Sequence, residues 1–266
     1  MSILKTVSVL LFAFVFFSCN NKNNTTTDSL EETVSTSEND KLTKSQIILN
    51  ETIAAHGGDL YNSAHYSFVF RDKIYQFKND GNNYEYRKNY NKDESTINDI
   101  LTNENFKRII NGKPVELSEK EITSGTGSIN SVIYFATLPY KLSDKAVNSK
   151  YIESTIIKGK SYDAIEITFN KEGGGEDHDD EFYYWINKDT KKIGYLAYSY
   201  KVNKGGVRFR SAYNTRVIDS ITFQDYINYK AEVETPLKDL PALYEAGKLI
   251  ELSKIETENI INLNKN

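Results

Sequence analysis

Residues 181–200 read EFYYWINKDTKKIGYLAYSY. Aromatic and apolar residues fall on both parities: Phe182, Tyr184 and Ile186 on one, Tyr183 and Trp185 on the other. Side chains alternate across a strand, so a sheet with one wet face shows one apolar parity and one polar parity. The stretch therefore predicts two strands around a turn at Asp189-Thr190, each covered on both faces. VRFRSAY at 207–213 repeats the pattern. Such strands suit a strongly curved sheet that is covered outside, or that wraps helices and a cavity inside.

Outward from this hairpin the chain continues as a meander. AHYSFVFRD (64–72) puts Tyr66, Phe68 and Phe70 on one face and Arg71 mid-strand on the other. KIYQFKND (73–80), a turn at 81–83 and YEYRKNY (84–90) follow. Asn111-Gly112 and Lys158-Gly159 each separate two strand-like runs, the composition of tight hairpin turns. Ile47, Ile48, Ile53 and Ala54 recur at helical spacing before Gly57-Gly58, which predicts a helix over 43–56. A second helix is predicted over 128–138, stopping near Pro139, and a short third one in the tail after Leu240. Strands and helices do not alternate, which excludes a doubly wound sheet and a (β/α)8 barrel. The expected fold is mainly β (α+β): a single-domain antiparallel open barrel or half-barrel over 42–266. It would have about ten strands, with two or three helices packed on the concave side.

The N-terminus has a different character. MSILKTVSVLLFAFVFFSC carries Lys5 and then an apolar run from Val7 to Phe17. A membrane-spanning helix needs about 20 such residues, so the run fits the apolar region of a secretory signal. Ser18-Cys19 resembles the lipobox of bacterial lipoproteins, although Phe16 and Phe17 depart from its strict pattern. The resemblance implies a signal peptide over 1–18 and a diacylglycerol on Cys19, the single cysteine, which also rules out an internal disulfide. Residues 20–41 are rich in Asn, Thr, Ser and Glu, with too little apolar surface to offset ordering, and read as a tether. A coil of that length reaches roughly 25 Å. Its start, NNKNN, lacks the acids of a surface-export tag. The expected location is the cell envelope, on an outer membrane and facing the periplasm.

A net charge of −4 with scattered lysines argues against a nucleic-acid partner. No nucleophile elbow, phosphate loop or dinucleotide fingerprint occurs, so no cofactor and no catalytic residue is assigned. Three groups of residues carry candidate chemistry. Asp177, His178, Asp179, Asp180 and Glu181 follow three glycines, in a stretch expected to be an exposed loop between adjacent strands. The spacing lacks the glycine of a calcium loop, and zinc would need ligands beyond His178, so no metal is expected. Arg208 and Arg210 share one face of a strand, and with Arg71 they need acidic partners, Asp72, Asp179 or Asp180. Alternatively they clamp an anionic ligand. His56, before Gly57-Gly58, reads as part of a helix end that could meet His178 if the helix packs inside the sheet.

AAHGGDLYNSAHYSFVFRD (54–72), DHDDEFYYWINKDT (177–190), YLAYSY, GGVRFRSAYN and FQDYINYK together resemble an uncharacterised family of flavobacterial lipoproteins. Some members carry an automatic deoxyribose-phosphate aldolase label. That activity belongs to a (β/α)8 barrel with a Schiff-base lysine, which these residues do not support. More loosely, the order of helix, long meander, mid-chain helix and lipid anchor resembles the LolA/LolB superfamily, where an incomplete barrel holds acyl chains. The function expected is a lipid-anchored binding protein carrying a lipid or other amphiphile in an apolar concave face. The alternatives are an envelope enzyme using His178, Asp179 and an arginine, or a scaffold whose helices fill the concavity.

Overall fold

A computed structural model describes residues 41–172, 180–201 and 205–265. Residues 42–266 form one compact unit. Helix α1 (Lys44–His56) comes first, then β1 (His65–Phe70), β2 (Lys73–Asp80), β3 (Asn83–Lys92), β4 (Ser95–Thr102), β5 (Phe106–Ile110) and β6 (Lys113–Val115). Helix α2 (Glu119–Ala136) leads to β7 (Val147–Ile157), β8 (Lys160–Phe169), β9 (Glu181–Asn187), β10 (Ile193–Tyr200), β11 (Gly206–Ile218) and β12 (Ile221–Ala231). The chain ends with α3 (Leu240–Glu245), β13 (Ile250–Ile255) and β14 (Glu258–Asn262). No helix among the described residues is long and apolar enough to cross a membrane.

The strands build two seven-stranded sheets, ordered β14-β1-β2-β3-β4-β5-β6 and β13-β12-β11-β10-β9-β8-β7. Every strand pair described is antiparallel. Among the described residues fourteen strands stand where about ten were expected, because polar segments such as STINDILT (95–102) pair as strands without an apolar run to betray them. Glu256-Thr257 alone separates β13 of one sheet from β14 of the other. Asp225 pins that crossover. It accepts from the Thr257 backbone N–H at 2.9 Å and from Arg216 at 2.6 and 2.9 Å. Burial would raise its carboxyl, but these donors and Asn214 outweigh that and hold it below the usual carboxylate range. At the far edges, β6 and β7 do not pair, so the barrel stays open.

Turn chemistry sets the meander. Asn111-Gly112 and Lys158-Gly159 both have positive φ at the two central residues, the geometry that matches strand twist. Arg71-Asp72 (φ 50° and 60°) and Asp219-Ser220 (48° and 67°) do the same without a glycine. Arg71 is thus an exposed turn residue and not the mid-strand position expected of it. Arg71-Asp72 lacks the glycine of the Asn-Gly or Asp-Gly pairs that mark such turns in sequence.

Two helices lie on the concave side. Helix α1 is capped by a reciprocal pair, Thr43 and Gln46, and buries Ser45, Ile48, Leu49, Thr52 and His56. Ile47, expected on that face, is 45% exposed. Helix α2 begins well before residue 128. The Ser118 backbone N–H donates to Glu121 at 2.9 Å, a capping-box contact that signals a helix start. Gly125 and Gly127 masked these early turns. Gly125 is required there, since a Cβ would sit 2.2 Å from the Phe106 ring. Gly125, Ile129 and Ile133, four residues apart, are the buried row of α2 against the first sheet.

Helix α3 departs from the expectation. With Leu237, Leu240, Leu243 and Tyr244, the segment around it covers the convex face of the second sheet, over Tyr183, Trp185, Tyr195 and Phe209. The concave face of the same sheet presents Phe182, Tyr184 and Ile186 to α1 and α2. Both parities of EFYYWI are therefore buried, each by a different cover. In the first sheet β2 alternates cleanly, with Tyr75 and Phe77 inside and Ile74, Gln76 and Lys78 outward.

Candidate functional site

The concave trough is not filled by its helices. Helix α2 runs along it with a cleft on each side. The first cleft, about 620 Å³, is walled by Tyr84 and Tyr86 of β3, Ile133 and Tyr134 of α2, Phe169 of β8 and Phe182 of β9. Alternation along β3 and β9 points these rings inward, and Phe169 meets Phe182 edge-on at 5.6 Å. Lys141 and Asp144, with Nζ and Oδ2 3.9 Å apart, are the charged groups of its lining.

The second cleft, about 420 Å³, lies between α2, the β1–β2 turn and strands β10–β12. Its lining includes Arg71, Lys73, Tyr75, Phe135, Tyr198, Arg210, Tyr226 and Asn228. Ser131 and Phe135 line both clefts. Arg210 is only 7% exposed. Its Nη2 donates to the Tyr198 hydroxyl at 2.9 Å, and its guanidinium carbon lies 3.7 Å from the centre of the Phe135 ring. Its Nε and Nη1 are buried with no hydrogen-bond partner among the described residues. Asn228, directly opposite Arg210 across the β11–β12 ladder, leaves its Oδ1 unbonded too.

The other expected site residues scatter. His56 is fully buried: Nδ1 donates to the Thr52 carbonyl at 2.8 Å, and Nε2 lies 3.0 Å from Gln224 Oε1. Burial lowers its pKa from the usual histidine value, against a partial offset from those two bonds. It lines neither cleft and touches the second only through Gln224. Arg208 donates to the Tyr200 hydroxyl and the Val207 carbonyl, and also lines neither cleft. Asp180 precedes β9 and lines neither cleft. His178, Asp179 and Cys19 lie outside the described residues. The strands that the loop with His178 and Asp179 was expected to connect, β8 and β9, are adjacent and antiparallel.

A family profile matches residues 5–257. The chain belongs to DUF6503, a family of unknown function. No functionally curated protein matches the DUF6503 chain. Among solved structures it is similar to a LolA superfamily protein from Nitrosomonas europaea, with 11% identity and a TM-score of 0.47 over 82% of this chain and 93% of that one. It is also similar to an outer membrane lipoprotein-sorting protein domain assigned in Vibrio parahaemolyticus, with 7% identity and a TM-score of 0.45 over 83% and 92%. A third is a DUF1329 family protein from Desulfovibrio piger, with 12% identity and a TM-score of 0.39 over 84% and 94%.

Of the site residues expected from the sequence, Arg71 and Arg210 line the second cleft; Tyr198, Asn228 and the walls of the first cleft were not among them. The parity of β3 and β9 signals that these rings are buried. It does not signal that α2 leaves a gap beside them.

Proposed function

We propose that this DUF6503 chain is a lipid-anchored cell-envelope protein that binds a lipid or other amphiphile, seating the apolar part in the larger cleft. One observation carries the reading: an opening of about 620 Å³, walled mainly by aromatic and aliphatic side chains, beside a helix that could have closed it. Ligand pockets run to about 300–1,000 Å³ and are mostly apolar with a few orienting polar groups. Lys141 and Asp144 supply such groups here. The test uses the mature-length chain, 19–266 with Cys19→Ala, and a fluorescent fatty acid. Saturable binding at micromolar concentration is expected. Asn130→Trp, an exposed position of α2 on the same cleft, should weaken it at least about tenfold, or about 1.4 kcal/mol. Absence of saturable binding, or an unaffected Asn130→Trp, rejects the proposal.

The anchor rests on the apolar run that ends in Ser18-Cys19 and on the polar tract after it. An outer-membrane protein facing the periplasm follows as the proposed location. A metabolic fatty-acid probe should label the native chain and leave Cys19→Ala unlabelled; equal labelling of both would refute the anchor.

A further inference from the structure

The second cleft presents an imbalance found at neither of two buried charge clusters elsewhere in the molecule. Asp99 has Lys88 and Arg108, and Asp225 has Arg216, Asn214 and Thr257. Arg210, 7% exposed, has among the described residues only a phenol, a ring face and two idle N–H-bearing nitrogens. A buried charge without a counter-charge is strongly destabilising, and an unmet donor adds to the penalty. None of the described residues of the cleft relieves it. Arg71 and Lys73 are two further cations, and no carboxylate occurs among the described lining residues. Beside the arginine, the unbonded Oδ1 of Asn228 lacks a donor.

We infer that Arg210 and Asn228 form a recognition site for an oxyanion, a carboxylate or phosphate whose ligand also offers an O–H or N–H. The oxyanion accepts from one free nitrogen of Arg210, Nε or Nη1, while the ligand's donor meets Asn228 Oδ1. Arg71 and Lys73 draw the anion in. Charge-assisted bonds of this kind are the stronger class, and a guanidinium held in advance loses little freedom on binding. Tyr198 and the Phe135 ring do that holding. Arg208 has no part in the site, because Tyr200 and its own strand occupy it. The source of the oxyanion is either a free small acid or the headgroup of an amphiphile. The headgroup case rests on the proposed apolar binding, since Phe135 is a common wall of the two clefts.

The experiment compares monododecanoyl-glycerol, its 3-phosphate, and glycerol 3-phosphate alone, each titrated into the mature-length chain and into Arg210→Gln. The phosphate-bearing lipid should bind at least tenfold tighter than the neutral one, and Arg210→Gln should erase the difference without weakening the neutral lipid. Asn228→Asp, which places a carboxylate beside Arg210, should also erase it and melt no lower than the native chain. If both lipids bind the native chain equally, the oxyanion site is overturned and the apolar reading stands. If only glycerol 3-phosphate binds and Arg210→Gln abolishes this, the site takes a free small acid and the lipid reading fails. Failure of all three, or a preference that survives Arg210→Gln, overturns the inference.

Discussion

Asp99→Ala is expected to cost about 3–5 kcal/mol at neutral pH, the scale for removing one member of a buried ion cluster. Asp99 is fully buried on β4, directly opposite Lys88 of β3 and Arg108 of β5. Arg108 reaches both carboxylate oxygens, at 2.6 and 2.9 Å, and Lys88 lies at 3.3 Å. Lys88 also donates to Ser128 of α2 at 3.0 Å, so the cluster ties the helix to the sheet. Without Asp99 the two cations lose the carboxylate that pairs them. Burial already lowers the Lys88 pKa from the usual lysine value, and Asp99 is the main group opposing that. In the variant the depression deepens, so the folded state favours neutral lysine more strongly than the unfolded state does. A depressed lysine adds stability as pH rises towards the unfolded value near 10.4. The deficit relative to the native chain should therefore be greatest near pH 7 and shrink towards pH 10, with Arg108 charged throughout. Denaturant unfolding at the two pH values checks this; a loss under about 1 kcal/mol at pH 7 would refute the cluster's role.

Phe209→Ala should cost a similar amount, about 3–5 kcal/mol, for a different reason. Phe209 is fully buried on the convex face, within 5.7 Å of the Trp185 ring and stacked on Tyr195 at 5.5 Å, with Tyr244 closing over it at 5.2 Å. Truncation opens a cavity between sheet and cover that rigid neighbouring rings cannot refill. Trp185, the only tryptophan, reports unfolding through its fluorescence. Val217→Ala on the same strand, at a position 62% exposed, should stay within about 0.5 kcal/mol. If the two variants lose equal stability, the convex face is not a sealed layer.

The excess of inward and outward aromatics in the second sheet has two causes, and only one of them bears on the proposed ligand binding. Tyr183, Trp185, Tyr195 and Phe209 are consumed by the cover around α3. Phe182, with Phe169, borders the larger cleft. Parity alone cannot divide these roles, because it records that a side chain is buried and not what buries it.

Local rules determined much of this protein from the sequence alone. Asn111-Gly112 and Lys158-Gly159 declare hairpins because few residues tolerate positive φ, and alternation in KIYQFKND declares an inward face. The absence of strand-helix alternation declares an antiparallel fold. The pairing of charges was decided only by tertiary structure. Arg208 and Arg210 are indistinguishable as sequence: same residue, same strand, same face. Register and twist bring Tyr200 to the first, while a ring 75 positions away on α2 is laid over the second. No periodicity encodes that contact, since it depends on where a helix settles in a trough whose walls lie on both sides of it in the chain. That Arg210 lies buried without an anion among the described residues is consequently a property of the assembled sheets.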